Sequence, residues 1–245
     1  MACIIKEKHY YRSINFSKHA MKKHSIIAIT AGLLLGSLLW VLSAETVQDV
    51  SKKYIFPEKS VALSIPEIHT PAIETPDITV NGQKVELSGE RLKIGDTLKD
   101  TELDMKAPYF DVVTQTQVSQ FSGYKLIETV PSLDTPVCTF QTKQLEAATK
   151  LFPDMEFLIV SNDTPFALER FCSANGIDNL TVLSDARTRE FGKQNGLYLP
   201  AYGLLTRSIM IVDENMKIVY IDYAEEVTKE LNLENALAYL QSLQK

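Results

Sequence analysis

Cys138 stands where an alternating segment gives way to a helical pattern. Residues 124–130 alternate and are rich in β-forming side chains, while residues 138–150 space their apolar side chains as a helix does. We therefore predict that Cys138 lies in the first turn of a helix that follows a strand. Unpaired backbone N–H groups and the helix dipole at such a position favour a thiolate over a thiol. A thiolate there would be a nucleophile.

The residues just before the cysteine support this chemistry but also allow a simpler interpretation. Pro131 and Pro136 restrict the backbone. Thr135 places a hydroxyl three residues before the sulfur, where it could bond the thiolate or an oxygen that the thiolate attacks. Alternatively, Asp134 and Thr135 simply cap a helix, and Cys138 is a small buried apolar residue. Position alone leaves both interpretations open.

The placement of histidine and cysteine excludes several kinds of site. All four histidines lie at or before His69, so the rest of the chain has no Cys-His or Ser-His pair and no histidine-ligated metal. Cys138 and Cys172 are 34 residues apart without histidine, which makes a poor zinc site. Three cysteines are an odd number, and Cys3 precedes a long apolar segment, so Cys138 and Cys172 are the possible pair. We expect no metal and no cofactor.

The charge distribution argues against nucleic acid as a partner. Of 25 basic and 31 acidic residues, six basic and one acidic lie in residues 1–44. The remainder therefore holds 19 basic and 30 acidic residues, a net charge of −11. Such a surface repels phosphate backbones, and the sequence has no basic stripe with interleaved aromatic residues.

The chain divides into four predicted segments. Residues 1–24 are basic and polar, residues 25–44 are a membrane anchor or a signal peptide, residues 45–77 are a proline-containing linker, and residues 78–245 are the folded domain. Residues 26–44 carry no charge, and at 1.5 Å per residue they are just long enough to cross a bilayer core of about 30 Å.

The flanking charges predict the orientation of the apolar segment. Lys22 and Lys23 precede it and Glu45 and Asp49 follow it, so we expect the folded domain on the extracytoplasmic, periplasmic side of the inner membrane. An uncleaved anchor is slightly favoured over a cleaved signal peptide, and translation from Met1 or from Met21 stays open.

The folded domain has an α/β pattern. An Asn81-Gly82 hairpin opens it, and strands and helices then alternate before a closing hairpin and helix. This order predicts a mixed central sheet covered by helices. The predicted strands are 109–113, 124–130, 156–161, 180–183, 208–212 and 217–222, and the predicted helices are 138–150, 165–175, 187–195 and 233–243.

The segment around Cys138 resembles a known family. Pro131, Thr135 and Cys138 match the Pro-x-x-x-Thr-x-x-Cys motif of peroxiredoxins, and the run Pro-Ser-Leu-Asp-Thr-Pro-Val-Cys is similar to the thiol peroxidase subfamily, the atypical two-cysteine kind. The similarity continues around Cys172 and Arg207 and covers roughly residues 78–245.

The resemblance implies a fold and a mechanism. It implies a thioredoxin-like fold, a homodimer, and reduction of hydrogen peroxide or alkyl hydroperoxides by Cys138. Pro131, Thr135 and Arg207 would bind the peroxide, Cys172 would form a disulfide with the oxidised Cys138, and thioredoxin or a thioredoxin-like protein would reduce it. Without the resemblance, Cys172 would be read as a core cysteine and Arg207 as a surface residue.

Two other functions stay open at this point. A membrane-tethered redox sensor or binding module would use the disulfide as a switch without useful turnover. A thiol-disulfide carrier is disfavoured because the chain has no Cys-x-x-Cys sequence.

Overall fold

The computed structural model describes residues 77–106 and 112–243. Within them the strands are β1 (Thr79–Val80), β2 (Gln83–Lys84), β3 (Leu103–Lys106), β4 (Val113–Thr116), β5 (Lys125–Thr129), β6 (Glu156–Ser161), β7 (Thr181–Ser184), β8 (Tyr198–Leu199), β9 (Leu204–Leu205), β10 (Ser208–Val212) and β11 (Ile218–Tyr223). The helices are α1 (Pro136–Thr149), α2 (Pro165–Asn175), α3 (Glu190–Gln194) and α4 (Leu233–Leu243), with a 3-10 turn at Val118–Gln120. This order confirms the predicted α/β class.

Seven of these strands form one mixed sheet, in the order β11-β10-β5-β6-β7-β3-β4. The three central strands β5, β6 and β7 are parallel, and the strands on either side run antiparallel to them. The predicted mixed central sheet is thus confirmed. The ends of β5 and β6 lie at the same edge of the sheet, and the chain turns there into α1 and then α2. Both cysteine-bearing helices therefore start from one edge.

The sheet separates two apolar layers. Successive residues of a strand face opposite sides, so Leu126 of β5 joins one layer and Ile127 joins the other. The layer with Leu126 is covered by α1, α2 and α4 and contains both Cys138 and Cys172. The other layer packs against the N-terminal segments and α3.

The N-terminal hairpin is confirmed, although its strands are short. Asn81 and Gly82 have φ angles of 52° and 74°, the left-handed conformation that a two-residue hairpin turn requires. β1 and β2 pair in an antiparallel register on either side of this turn. The carboxylate of Glu226 accepts hydrogen bonds from both turn amides, at 3.0 and 2.9 Å, and so fastens the hairpin to the segment after β11.

Two of the predicted elements differ from the structure by more than two residues at one end. The helix predicted over 187–195 is wrong in its start, because Arg189 has a φ of 58° and the carboxylate of Asp185 binds the amides of Phe191 and Gly192 at 3.1 and 2.8 Å. These bonds fix the start of α3 at Glu190. The strand predicted over 109–113 falls largely on residues 107–111, outside the described part, and β4 begins at its last residue.

The predicted segments before the domain also lie outside the described residues. They are the basic segment 1–24, the anchor or signal peptide 25–44 and all but the last residue of the linker 45–77. Across residues 77–106 and 112–243, no helix has both the length and the apolar character needed to cross a membrane.

Candidate active site

Cys138 is the third residue of α1, in the first turn as predicted, and it is fully buried. Thr135 caps the helix, with its backbone extended and its Oγ1 accepting a hydrogen bond from the amide of Cys138 at 3.4 Å. The same hydroxyl donates to the carbonyl of Ser132 at 3.2 Å. Pro136 begins α1, where its missing N–H costs no hydrogen bond. The threonine hydroxyl is thereby held beside the backbone of the cysteine.

Arg207 reaches the sulfur from the neighbouring strand. β10 pairs with β5 so that Ser208 lies opposite Thr129, which brings the preceding residue to the end of β5. Arg207 is 1% exposed, so the interpretation of this residue as a solvated surface arginine is wrong. Its Nη2 donates to Cys138 Sγ at 3.1 Å.

The other two donor positions of this guanidinium fix its plane. Nη1 donates to Gln141 Oε1 at 3.2 Å, and Nε donates to the carbonyl of Val227 at 3.2 Å. Arg207 therefore links α1 to the chain that follows β11. A guanidinium held at two points presents its remaining donor in a fixed direction, and here that direction is the sulfur of Cys138.

Asp163 holds the loop between β5 and α1. Its Oδ1 accepts from Ser132 Oγ at 2.8 Å, and its Oδ2 accepts from the amide of Leu133 at 2.8 Å and from Ser161 Oγ at 3.0 Å. Pro131 begins this loop and is buried. The loop before Cys138 is thus tied to the end of β6, directly before the helix that carries the second cysteine.

Cys172 lies near the end of α2 and is 1% exposed. Cys138 and Cys172 are both thiols in this structure, and they belong to the same apolar layer. The carbonyl of Cys172 accepts hydrogen bonds from the amides of Gly176 and Ile177, and Gly176 ends the helix with a φ of 65°. The structure brings Thr135 into contact with the amide of Cys138 and Arg207 into contact with its sulfur, and Cys172 lies in the same apolar layer as Cys138.

Two residues of the site were not singled out from the sequence. Gln141 is fully buried and accepts from Arg207, and its position three residues after Cys138 on the same helix was the available signal. Glu128 is 1% exposed on the sheet beneath the site. Its signal was the alternation of β5, in which Glu128 falls between Leu126 and Val130 on an otherwise apolar face.

The carboxyl group of Glu128 is unusual for its burial. Loss of water raises the pKa of Glu128 to about 8, although the positive charge of Arg207 acts in the opposite direction. Its Oε1 has no hydrogen-bond partner among the described residues. Burial thus favours the uncharged carboxylic acid form of Glu128.

The described residues offer no group of three histidine, cysteine, aspartate or glutamate side chains that could hold a metal ion.

Comparison with known proteins identifies the family. The Redoxin family model matches residues 93–238. The thiol peroxidase of Oceanobacillus iheyensis is 36% identical over 169 residues, which are 67% of this chain and 98% of that protein. The thiol peroxidase of Bacillus subtilis is 36% identical over 174 residues, which are 69% of this chain and 99% of that protein. The chain belongs to the thiol peroxidase group of peroxiredoxins.

Solved structures agree with this assignment. The domain of this peroxiredoxin resembles a peroxiredoxin-like protein from Aquifex aeolicus with a TM-score of 0.62 and 32% identity, covering 68% of this chain and 96% of that one. The thiol peroxidase from Chromobacterium violaceum has a TM-score of 0.61 at 20% identity, covers 70% of this chain and 98% of that one, and shows the shared fold. The predicted thioredoxin-like fold and the family resemblance are both confirmed, and this peroxiredoxin is an enzyme.

Proposed function

We propose that this peroxiredoxin reduces hydrogen peroxide and alkyl hydroperoxides through Cys138. The thiolate attacks the terminal oxygen, a sulfur–oxygen bond forms and the oxygen–oxygen bond breaks. Cys138 becomes a sulfenic acid, and the departing oxygen takes up a proton and leaves as water or an alcohol. The observation that carries this proposal is the 3.1 Å hydrogen bond from Arg207 Nη2 to Cys138 Sγ inside a buried site. A preorganised cation of this kind stabilises negative charge on the sulfur and on the oxygens during transfer.

Thr135 and Pro131 complete the proposed peroxide site. The hydroxyl of Thr135 lies against the first turn of α1 and can exchange its bond to the Ser132 carbonyl for one to a peroxide oxygen. Pro131 is buried, and its ring restricts the loop and removes an N–H donor that would compete for the peroxide. With Arg207 they would fix the line along which the sulfur approaches the oxygen.

Cys172 is proposed to resolve the sulfenic acid. Its thiol would displace water from the oxidised Cys138, so that a sulfur–sulfur bond forms and a sulfur–oxygen bond breaks. The location of both residues in one apolar layer supports the pairing. Because a disulfide requires Cα atoms within about 7 Å and both cysteines lie in intact helices, we expect an end of α1 or α2 to unwind locally.

A dithiol protein is proposed to complete the cycle. The chain has no Cys-x-x-Cys sequence of its own, so the disulfide must be reduced by exchange with an external thiol pair. Thioredoxin or a thioredoxin-like protein provides such a pair. A pull-down in which Cys172 is trapped as a mixed disulfide with its reductant should recover this partner, and recovery of no dithiol protein would contradict the proposal.

The location is proposed from residues 26–44 and their flanking charges. The uncharged segment, preceded by lysines, would anchor the chain in the inner membrane or export it, with the domain on the periplasmic side. Digestion of the domain by protease added to cells with a permeable outer envelope would support this location. Full protection until the inner membrane is lysed would contradict it.

A homodimer is proposed by analogy with the family. Sedimentation equilibrium of the intact chain in detergent would give twice the monomer mass of 27.5 kDa. A monomer at all accessible concentrations would contradict this proposal without affecting the chemistry of Cys138.

The mechanism is tested by two serine variants in a peroxide assay with thioredoxin as the reductant. Cys138→Ser should lose peroxide consumption altogether, because the nucleophile is gone. Cys172→Ser should consume one equivalent of peroxide and then stop with Cys138 as a sulfenic acid. Cys3→Ser is the matched control and should turn over at the rate of the unmodified chain. Full multiple turnover by Cys172→Ser would refute the resolving role, and turnover by Cys138→Ser would refute the proposed function.

A further inference from the structure

Glu128 lies on the same face of the sheet as the guanidinium that contacts Cys138. In the register between β5 and β10, Glu128 is opposite Ile209 and Thr129 is opposite Ser208. Arg207 is two residues before Ile209 and therefore shares its face. Glu128 and Arg207 are thus diagonal neighbours on adjacent strands, and each is 1% exposed.

The hydrogen bonds of this pair are distributed unevenly. Arg207 directs its donors to Cys138, Gln141 and Val227. Glu128 Oε1, in contrast, has no partner among the described residues. A buried carboxylate without partners is costly, whereas a buried carboxylic acid is tolerated. The arrangement is therefore the one expected when Glu128 keeps its proton and Arg207 is left to the sulfur.

The titratable groups on the other elements around this layer do not take the place of Arg207 as the charge that acts on Glu128. Burial raises the pKa of Tyr220 to about 12, so its phenol is neutral in the range where Glu128 titrates. Arg207 is the charged group whose field acts on Glu128. The titratable groups that the other described elements bring to this face include Cys138 of α1, Cys172 of α2, Tyr239 of α4, Tyr124 before β5, and Tyr220 and Asp222 of β11. Asp222 lies opposite Ile209, and burial raises its pKa as well.

We propose that Glu128 is a positioning residue that acts on Cys138 through Arg207. As a carboxylic acid it leaves the guanidinium directed at the sulfur, and as a carboxylate it competes with the Cys138 thiolate for the same positive charge. Two anions and one cation in a buried site favour the state in which one of the anions holds a proton. The protein thereby limits its reactive state to the pH range in which Glu128 is neutral.

The pH dependence that we expect for peroxide consumption rests on the function proposed above. Burial raises the pKa of Glu128 to about 8. As the pH rises through this value, the guanidinium is drawn from the sulfur, and the rate of peroxide consumption should fall several-fold. At neutral pH the carboxylic acid and a glutamine side chain should act alike.

The test compares Glu128→Gln with the unmodified full-length protein. Reduced protein is alkylated with iodoacetamide from pH 5 to pH 10, and the rate at Cys138 is read from its peptide by mass spectrometry. Glu214→Gln is the matched control, because it removes the same charge at an exposed position in the turn between β10 and β11. Circular dichroism at each pH establishes that the variants are folded.

The alkylation rate at Cys138 should change near pH 8 in the unmodified protein and in Glu214→Gln. In Glu128→Gln this change near pH 8 should be absent, and the peroxide rate should stay level above pH 8. Superimposed alkylation profiles for Glu128→Gln and the unmodified protein would overturn the proposal. Because alkylation needs no peroxide, this result is independent of whether the protein consumes peroxide.

A second measurement decides the question if Glu128→Gln does not fold. Infrared spectra of the unmodified protein carrying ¹³C-labelled glutamate carboxyl groups separate glutamic from aspartic acid bands, including that of Asp185. The proposal requires a protonated glutamic acid band at pH 7 that disappears around pH 8. Absence of this band at pH 7 would overturn it.

Discussion

The guanidinium of Arg207 joins three parts of the chain at one sulfur. It donates to Cys138 and Gln141 on α1 and to the carbonyl of Val227 after β11. Each of these acceptors restrains it, so little reorganisation is needed when charge develops on a bound peroxide. In the proposed mechanism, the reactivity of Cys138 therefore depends on a contact between residues 69 positions apart in the sequence.

Thr135 and Thr164 allow the chemical and structural roles of a helix cap to be separated. Both cap a helix whose first residue is proline, and both accept from the amide three residues later at 3.4 Å. Thr135→Val and Thr164→Val should each cost about 1 kcal/mol in the free energy of unfolding.

Their effects on the reaction of Cys138 with peroxide should differ. Thr135→Val should slow it at least tenfold, since the hydroxyl at the peroxide site is lost, and Thr164→Val should leave it near the original rate. Stopped-flow peroxide kinetics and urea denaturation measure the two effects. Equal slowing in both variants would mean that Thr135 is only a cap.

At the residue scale, the sequence reveals local patterns, but it does not reveal contacts between residues far apart in the chain. The position of Cys138 in a first helical turn followed from the change in periodicity, and its cap from Thr135. Arg207 was identified through the family resemblance alone, because no local pattern shows that a residue before β10 meets α1. Glu128 was missed because its significance depends on the register between β5 and β10, which the sequence does not specify.

At the scale of helices and strands, one carboxylate connects the two helices that carry the cysteines. Asp163, at the end of β6, binds Ser132 and Leu133 of the loop that leads into α1. Its own carbonyl accepts from Ser184 Oγ of β7 at 2.6 Å. The ends of three neighbouring strands are thereby fixed relative to the first turn of α1.

Replacing Asp163 should loosen the loop before Cys138. An asparagine retains one acceptor oxygen, so Asp163→Asn should lose part of the network and about 2 kcal/mol of stability. The amide of Leu133 should exchange faster with deuterium, and peroxide consumption should slow. Asp134→Asn, a change at an exposed neighbour in the same loop, is the control and should alter neither. Unchanged exchange at Leu133 in Asp163→Asn would contradict this role.

Most elements could be predicted because their periodicity agrees with their burial. The bounds of β6, β10, α2 and α4 were predicted as they are observed, each with a regular apolar pattern between turn residues. The start of α3 was not, since it is set by Asp185, whose carboxylate binds two amides from outside the helix. Tertiary hydrogen bonds of this kind have no signature in local composition.

At the scale of the whole molecule, Glu128 links stability to pH. Because the pKa of Glu128 is raised to about 8 in the folded state, the folded protein holds a proton between pH 4.5 and 8 that the unfolded chain releases. Its contribution to stability is therefore full at low pH and decreases as the pH rises, by at most about 1.4 kcal/mol per pH unit.

Glu128→Gln should remove this dependence. The free energy of unfolding of the variant, measured by urea denaturation, should improve relative to the unmodified protein from pH 5 to pH 8 and level off above it. Glu214→Gln should run parallel to the unmodified protein throughout. A constant difference between Glu128→Gln and the unmodified protein would show that Glu128 does not titrate in this range.

The central claim is that Cys138 reduces a peroxide and then pairs with Cys172. The most direct test mixes the reduced protein with one equivalent of hydrogen peroxide and follows both the peroxide and the intact mass. The account predicts loss of one equivalent of peroxide and a decrease of about two daltons, as two thiols become a disulfide. Unconsumed peroxide, with Cys138 and Cys172 still open to alkylation after unfolding, would contradict it.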